Sequence, residues 1–191
     1  MNETEIHDLF EEHGALQHGH FKLSSGRHSD VFVQTALVLC QTGIAERLGH
    51  ELASRFANAG ANIVLGPAMG GVIIGHEMAR HLGVPMFYAE RVEGKLALRR
   101  GFRISSEDRV LVAENTVTTG GSQKEAIELA RAHGAEVVGV GAICDRSPGV
   151  SFGVPFEVLL HVRADSWEAD DCPLCKDGSV PEAPGSRHLT R

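Results

Sequence analysis

Short apolar runs alternate with helix-period segments from Asn62 to Cys144, and a glycine closes each helical segment. The spacing predicts strands at Asn62–Leu65, Met86–Ala89, Arg109–Ala113 and Val137–Cys144, and helices at Val72–Leu82 and Gln123–His133 that stop at Gly83 and Gly134. Strands joined through helices pair in parallel, because a parallel neighbour needs a long crossover that lays a helix over the sheet. The fold class is therefore α/β, a central parallel sheet flanked by helices. Ligands in such sheets settle at the carboxyl ends of the strands.

Upstream, Ile44, Leu48, Leu52 and Phe56 form one apolar stripe over Ile44–Asn58 that ends at Gly60. Ile6, Leu9 and Phe10 suggest a short first helix, and "GHFKLSSGRHSDVFVQTALVL" reads as strand, Ser-Ser-Gly turn, strand. A last strand-like run, "FEVLLHV", precedes a tail from Arg163 rich in Asp, Pro, Gly and Ser.

With 191 residues, 42% hydrophobic and 23% charged, the chain suits one globular domain. No stretch approaches the ~18 apolar residues of a membrane span, and the acidic start "MNETEIHDLFEEHG" has no secretory-signal pattern, so a cytoplasmic protein without a membrane partner is expected. A net charge of −7 and a pI near 5.9 speak against a nucleic-acid partner. An anionic ligand would need backbone N–H groups, or the cluster Arg91, Lys95, Arg99, Arg100 and Arg103.

Of the four cysteines, Cys40 and Cys144 lie in apolar runs and are expected in the core. Cys172 and Cys175 form one CxxC in the polar tail: half of a Zn²⁺ site, with His188 or a second subunit to complete it, or simply two reduced thiols. Among eleven histidines no HExxH spacing occurs, and His20 and His28 are expected as surface or supporting residues.

Two strand-to-helix turns carry glycine: Gly66-Pro67-Ala68-Met69-Gly70-Gly71, and Thr118-Thr119-Gly120-Gly121-Ser122. The first N–H groups of a helix lack partners and its dipole adds about half a positive charge there, so such turns attract phosphate. Either turn alone is more often simply a capped tight turn. Together, on neighbouring strand ends, they can hold two separated phosphate groups. Neither fits the Walker pattern, since no Lys follows the glycines, and "GVGAIC" at Gly139 lacks the third glycine of the dinucleotide fingerprint. Glu114 sits just before the second turn. A carboxylate there would repel phosphate, so it faces a sugar diol, a bound Mg²⁺ or a developing positive charge, unless it is a solvated strand-end residue.

The run "VLVAENTVTTGGS" resembles the phosphoribosyl pyrophosphate (PRPP) motif of type I phosphoribosyltransferases: an apolar strand, two acidic positions, two more residues, then Thr-Thr-Gly. With "GHFKLSSGRHS", "GPAMGG", "ERVEGKLALRRGF", "CDRS" and "DCPLCKDGSVPEAPGSR", nearly the whole chain resembles the orotate phosphoribosyltransferases. The resemblance implies a single domain over 1–191, a core of about 41–162 under a small hood from about 1–40 and 163–191. It also implies transfer of phosphoribosyl from PRPP to orotate with Mg²⁺, giving orotidine 5′-monophosphate (OMP) and pyrophosphate in pyrimidine synthesis. The partners would be PRPP, orotate or OMP, and a second copy in a homodimer with shared active sites.

The same resemblance assigns residues. Thr118, Thr119, Gly120, Gly121 and Ser122 would cradle the 5-phosphate, after Thr116 and Val117, with Glu114 and Asn115 at the ribose hydroxyls. The loop from Pro67 to Gly71 would meet the pyrophosphate, and Ala68, Met69, Gly70 and Arg91 count among the PRPP-binding residues. Thr118, Arg146, Ser25 and Gly26 would approach orotate, and Lys95, Arg99 and Arg100 belong to a segment that resembles the family's mobile catalytic loop. Lys95, Arg99 and Glu114 are thus the implied catalytic set. The bland alternative for "RVEGKLALRRG" is a solvated hairpin.

The chain departs from the motif at Asn115, where the family carries an acid, and at Ser24, where some members carry Lys. Asn keeps the shape and loses the charge, an exchange worth about 1.5–3 kcal/mol, or ~10- to 100-fold in rate. Open alternatives are a slower orotate enzyme, a transferase for another base, and a regulator that binds PRPP or nucleotide without turnover. A zinc-stabilised interaction module is a further one.

Overall fold

The computed structural model describes residues 1–23 and 25–184; Ser24 and His188, named above, lie outside the described residues. The chain runs α1 (Glu3–Glu12), β1 (Leu16–Lys22), β2 (His28–Val33), α2 (Ala36–Leu39), α3 (Thr42–Ser54), β3 (Ile63–Pro67), α4 (Gly70–Leu82), β4 (Met86–Val92) and β5 (Lys95–Leu98). It continues through β6 (Arg109–Val117), α5 (Gly121–Ala132), β7 (Glu136–Asp145), β8 (Phe156–His161), β9 (Ser166–Trp167) and α6 (Pro173–Lys176).

The expected parallel sheet is present as β5-β4-β3-β6-β7-β8, with only the edge strand β5 antiparallel. Leu48, Leu52 and Phe56 pack with Ile74 and Met78 of α4 on one face. Ala126, Ile127 and Ala130 of α5 cover the other. Gly139 of β7 has a packing reason for its missing side chain: a Cβ there would stand 2.5 Å from the Phe56 ring. Gly83 ends α4 in the left-handed conformation at φ 71°, as its position in the sequence suggests.

A second, three-stranded antiparallel sheet, β1-β2-β9, joins the two ends of the chain. The tail runs back along β1, where the Lys22 N–H donates to the Glu182 carbonyl at 2.7 Å and the Glu182 N–H to the His20 carbonyl at 2.8 Å. Helix α1 instead buries Ile6 and Phe10 in the large core beside Leu159 and Leu160. Its start is fixed by a capping box between Asn2 and Glu5.

Three local expectations need correction. "TALVL" was expected as the end of a strand and is the single helical turn α2, with Val38 and Leu39 buried. Cys40, expected in the core, is exposed because it caps that turn on its outer side; Cys144, inside β7, is buried as expected. His20 and His28 are 7% and 5% exposed rather than on the surface, because the returning tail covers the β1–β2 hairpin.

Candidate active site

The site is built where β3 and β6, parallel neighbours, each turn into a helix. Their carboxyl ends open into a cleft of about 230 Å³. Pro67, Ala68 and Gly70 form one wall, and Glu114, Asn115, Thr116 and the stretch Thr118 to Gln123 form the other. Both glycine turns thus share one cavity.

Close packing of the first turn against the end of β6 explains Gly70 and Gly71. A Cβ on Gly70 would meet Glu114 Oε1 at 2.4 Å and Asn115 Oδ1 at 2.7 Å. One on Gly71 would meet the Ala113 carbonyl at 2.4 Å. The first turn of α4 therefore lies against the end of β6, and the two side-chain oxygens converge beside Gly70. Gly120 caps α5 at φ 76°, a left-handed conformation that few other residues adopt. The first helical N–H bond of α5 is Lys124 to Gly120, so the amides of Gly121, Ser122 and Gln123 precede the ladder. They are the ordinary unpaired donors of a helix start, backed by the dipole.

Glu114 is no solvated strand-end residue: it is 5% exposed, and burial pushes its carboxyl up to about 7. The Asn115 N–H and Gln123 Nε2 donate to its two oxygens, each at 3.0 Å, and oppose that rise. Gln123 was not singled out in the sequence. Its position three residues after Gly120 places it on the inner side of the first helical turn, where it is 3% exposed. Thr35 was also missed, since it follows β2 and lies 80 residues away in sequence. Its Oγ1 accepts from Asn115 Nδ2 at 2.8 Å.

Arg146 follows β7, the next strand in the sheet. Its Nη2 donates to the Val31 carbonyl of β2 at 3.1 Å, while Nε is buried without a partner among the described residues. Burial lowers its guanidinium below the usual value. An orphaned guanidinium N–H is a ready donor for a planar carboxylate.

Among the described residues that line the cleft, none comes from the β4–β5 hairpin. That hairpin closes through Glu93 and Gly94 at φ 49° and 84°, the pair of positive φ angles that suits a two-residue turn. Arg91 is engaged by Glu125 in a bidentate pair at 2.9 and 3.0 Å, and Arg100 by Glu90 at 2.9 and 3.0 Å. Lys95 and Arg99 are exposed on the hairpin. Ser25 and Gly26 occupy the β1–β2 turn, closed by Gly26 N–H to the Leu23 carbonyl at 2.9 Å, and they too stand outside the cleft lining. Met69, at 81% exposure, projects from the edge of the first turn rather than into the cleft.

Comparison with known proteins agrees with this geometry. The phosphoribosyl transferase domain family matches residues 41–152. The orotate phosphoribosyltransferase of Caldanaerobacter subterraneus is 46% identical over 190 residues, covering 99% of this chain and 100% of that protein. That of Desulforamulus reducens is 47% identical over 191 residues and covers all of both chains. The crystal structure of orotate phosphoribosyltransferase from Aeropyrum pernix superposes with a TM-score of 0.67 at 25% identity, over 81% of this chain and 92% of that one. The Mycobacterium tuberculosis enzyme in complex with PRPP shares the fold, with a TM-score of 0.67 at 23% identity over 83% and 95% of the two chains. A cleft walled by two glycine turns on a parallel sheet, in a chain alike from end to end, leads to one conclusion: the protein belongs to the phosphoribosyltransferase family, among the orotate phosphoribosyltransferases.

Proposed function

We propose that the protein transfers the phosphoribosyl group of PRPP to orotate, releasing pyrophosphate and forming OMP for pyrimidine nucleotide synthesis. The observation that carries this reading is the single cleft in which the phosphate-type turn of α5, the buried Glu114 and the turn before α4 face one another. In it the 5-phosphate takes the free amides at the start of α5 and the hydroxyls of Thr118, Thr119 and Ser122. The ribose hydroxyls lie against Glu114 and Asn115, and the diphosphate runs toward Ala68 and Gly70. Orotate stacks at the mouth beside Thr118, its carboxylate on the unpartnered Nε edge of Arg146. N1 of orotate, its proton given up to solvent, then attacks C1 of the ribose as the C1–oxygen bond breaks and pyrophosphate leaves with the bonding electrons.

Hard oxygen donors converge beside Gly70, a donor set that suits Mg²⁺, which keeps several waters and binds through one or two carboxylates with substrate phosphates. Bound with PRPP, Mg²⁺ would offset the charge gathering on the leaving group. The protein's part is to orient the sugar and hold the cation-like ring against Glu114. Lys95 and Arg99, outside the lining of their own cleft, are suited to reach the cleft of a second copy in a homodimer. There they would stabilise the departing pyrophosphate. A cytoplasmic place and a single domain with a hood from the chain's two ends complete the reading.

Asn115 favours one competing reading, a sensor that binds PRPP without turnover. Its amide is held by Thr35, whose hydroxyl can reverse its role and donate to a carboxylate, so Asn115→Asp preserves the contact. A panel of pyrimidine and purine bases with PRPP and Mg²⁺ tests both. Pyrophosphate is expected with orotate only, and Asn115→Asp is expected to raise kcat ~10- to 100-fold. Tight PRPP binding with no turnover for any base, in both proteins, would mean the sensor.

A further inference from the structure

We propose that the protein holds a structural Zn²⁺ ion in a Cys₂His₂ site made by His20, His28, Cys172 and Cys175, which pins the chain's tail to its N-terminal hairpin. One ligand atom from each of these residues lies within 4.8 Å of every other. His20 Nε2 stands 3.0 Å from His28 Nδ1 and 3.4 Å from Cys172 Sγ. Cys175 Sγ stands 3.7 Å from His20 Nε2 and 3.3 Å from His28 Nδ1. Zinc–nitrogen bonds of about 2.0–2.1 Å and zinc–sulfur bonds of about 2.3 Å give a tetrahedron edges of roughly 3.3–3.8 Å. Three of these four separations fall in that range, and the His20–His28 edge needs to open by only a few tenths of an ångström.

Burial and ligand type argue the same way. His20, His28 and Cys172 are 7%, 5% and 0% exposed, yet their partners in the cluster are mainly sulfur, a weak hydrogen-bond acceptor. Two thiolates and two neutral imidazoles around a divalent cation satisfy every one of these groups and leave no net charge. Soft thiolate with imidazole in four-coordinate geometry selects zinc over magnesium or calcium. Ser179 Oγ lies 3.1 Å from His20 Nδ1, the outer nitrogen, and so fixes the ring with Nε2 facing the metal. Neither His188 nor a second subunit is needed to complete the set. The ligands come from β1, the start of β2, and α6 with its N-cap, so the metal would close a very long loop.

The site also bears on the cleft from a distance. The strand that begins at His28 carries Val31, whose carbonyl holds Arg146, and leads to Thr35, which holds Asn115. Zinc at one end of β2 would therefore steady the contacts made at the other.

The test is metal analysis of the full chain, purified without chelator or affinity-tag histidines, together with cobalt exchange. One zinc per chain is expected, and the Co²⁺ form should show the intense visible bands of tetrahedral coordination with thiolate-to-metal charge transfer. Ser179→Ala is expected to weaken zinc binding ~10- to 100-fold while the protein stays folded. Cys40→Ser, which removes an exposed thiol outside the cluster, should keep full occupancy. Wild-type protein that is folded and reduced, yet neither carries zinc nor takes up zinc or cobalt from solution, overturns the proposal. So does cobalt bound without thiolate bands.

Discussion

Gly70→Ala is expected to lower kcat/KM by about 100-fold or more, with a stability loss of only about 1–2 kcal/mol. The new methyl would lie 2.4 Å from Glu114 Oε1 and 2.7 Å from Asn115 Oδ1, well inside van der Waals contact. Glu114 cannot simply turn aside, since its oxygens are held by the Asn115 N–H and by Gln123. Relief comes from moving either the first turn of α4 or the end of β6, so the two walls of the cleft separate. A displacement of about 1 Å between groups that must position one substrate costs on the order of 100-fold in rate. Alanine is otherwise favoured over glycine in a helix by ~0.5–1 kcal/mol, which offsets part of the clash in the folding balance. Steady-state kinetics beside a urea unfolding curve checks the split. A variant with activity within a few-fold of wild type would show that the walls are not in contact during turnover.

Glu114→Gln is expected to trade activity for stability, and the trade depends on pH. Burial lifts the Glu114 carboxyl to about 7, above its unfolded value of 4.5. The folded protein therefore binds the proton more tightly than the unfolded chain does. That contribution to stability is fully present below about pH 4.5 and is lost as the pH rises through 7. The shift corresponds to about 3 kcal/mol between the two limits. Glutamine never ionises, so the ligand-free variant should gain on wild type by up to that amount at pH 8.5 and differ far less at pH 5. Chemical unfolding at the two pH values measures it, and a gap that is the same at both rejects the assignment. Under the proposed binding mode, turnover should fall ~10- to 100-fold, because a neutral amide would replace charge-assisted bonds to the sugar and oppose no cation-like ring. If PRPP binds with Mg²⁺ as proposed, a cation near Glu114 would pull its pKa down. Substrate binding near pH 7 should accordingly release a proton.

Much of the fold was legible in local pattern. The strand that became β6 was readable from its apolar run, and α4 and α5 from their period and closing glycines, with boundaries shifted by a few residues at the ends. The β6 end ran on through Val117, because Glu114 and Thr116 still pair with β7 despite their polarity. Polarity at a strand end suggests the start of a loop, whereas the backbone ladder does not depend on the side chain. Cys40 departs from its expected place for a related reason. Apolar neighbours mark a buried segment, but the outer side of a single helical turn faces solvent.

The sequence by itself determined the α/β class, the two glycine turns and the line of residues from Glu114 to Ser122, because each is written in contiguous spacing. Tertiary structure alone decided that the first turn of α4 packs against the end of β6 at Gly70, that Gln123 and Thr35 hold Glu114 and Asn115, and that Arg91 is engaged by Glu125 outside the cleft. It also decided that His20 and His28 meet Cys172 and Cys175. Those partners are separated by up to 155 residues in sequence. No local periodicity carries information across such a span. Only the closing of the sheet and the return of the tail along β1 bring them together.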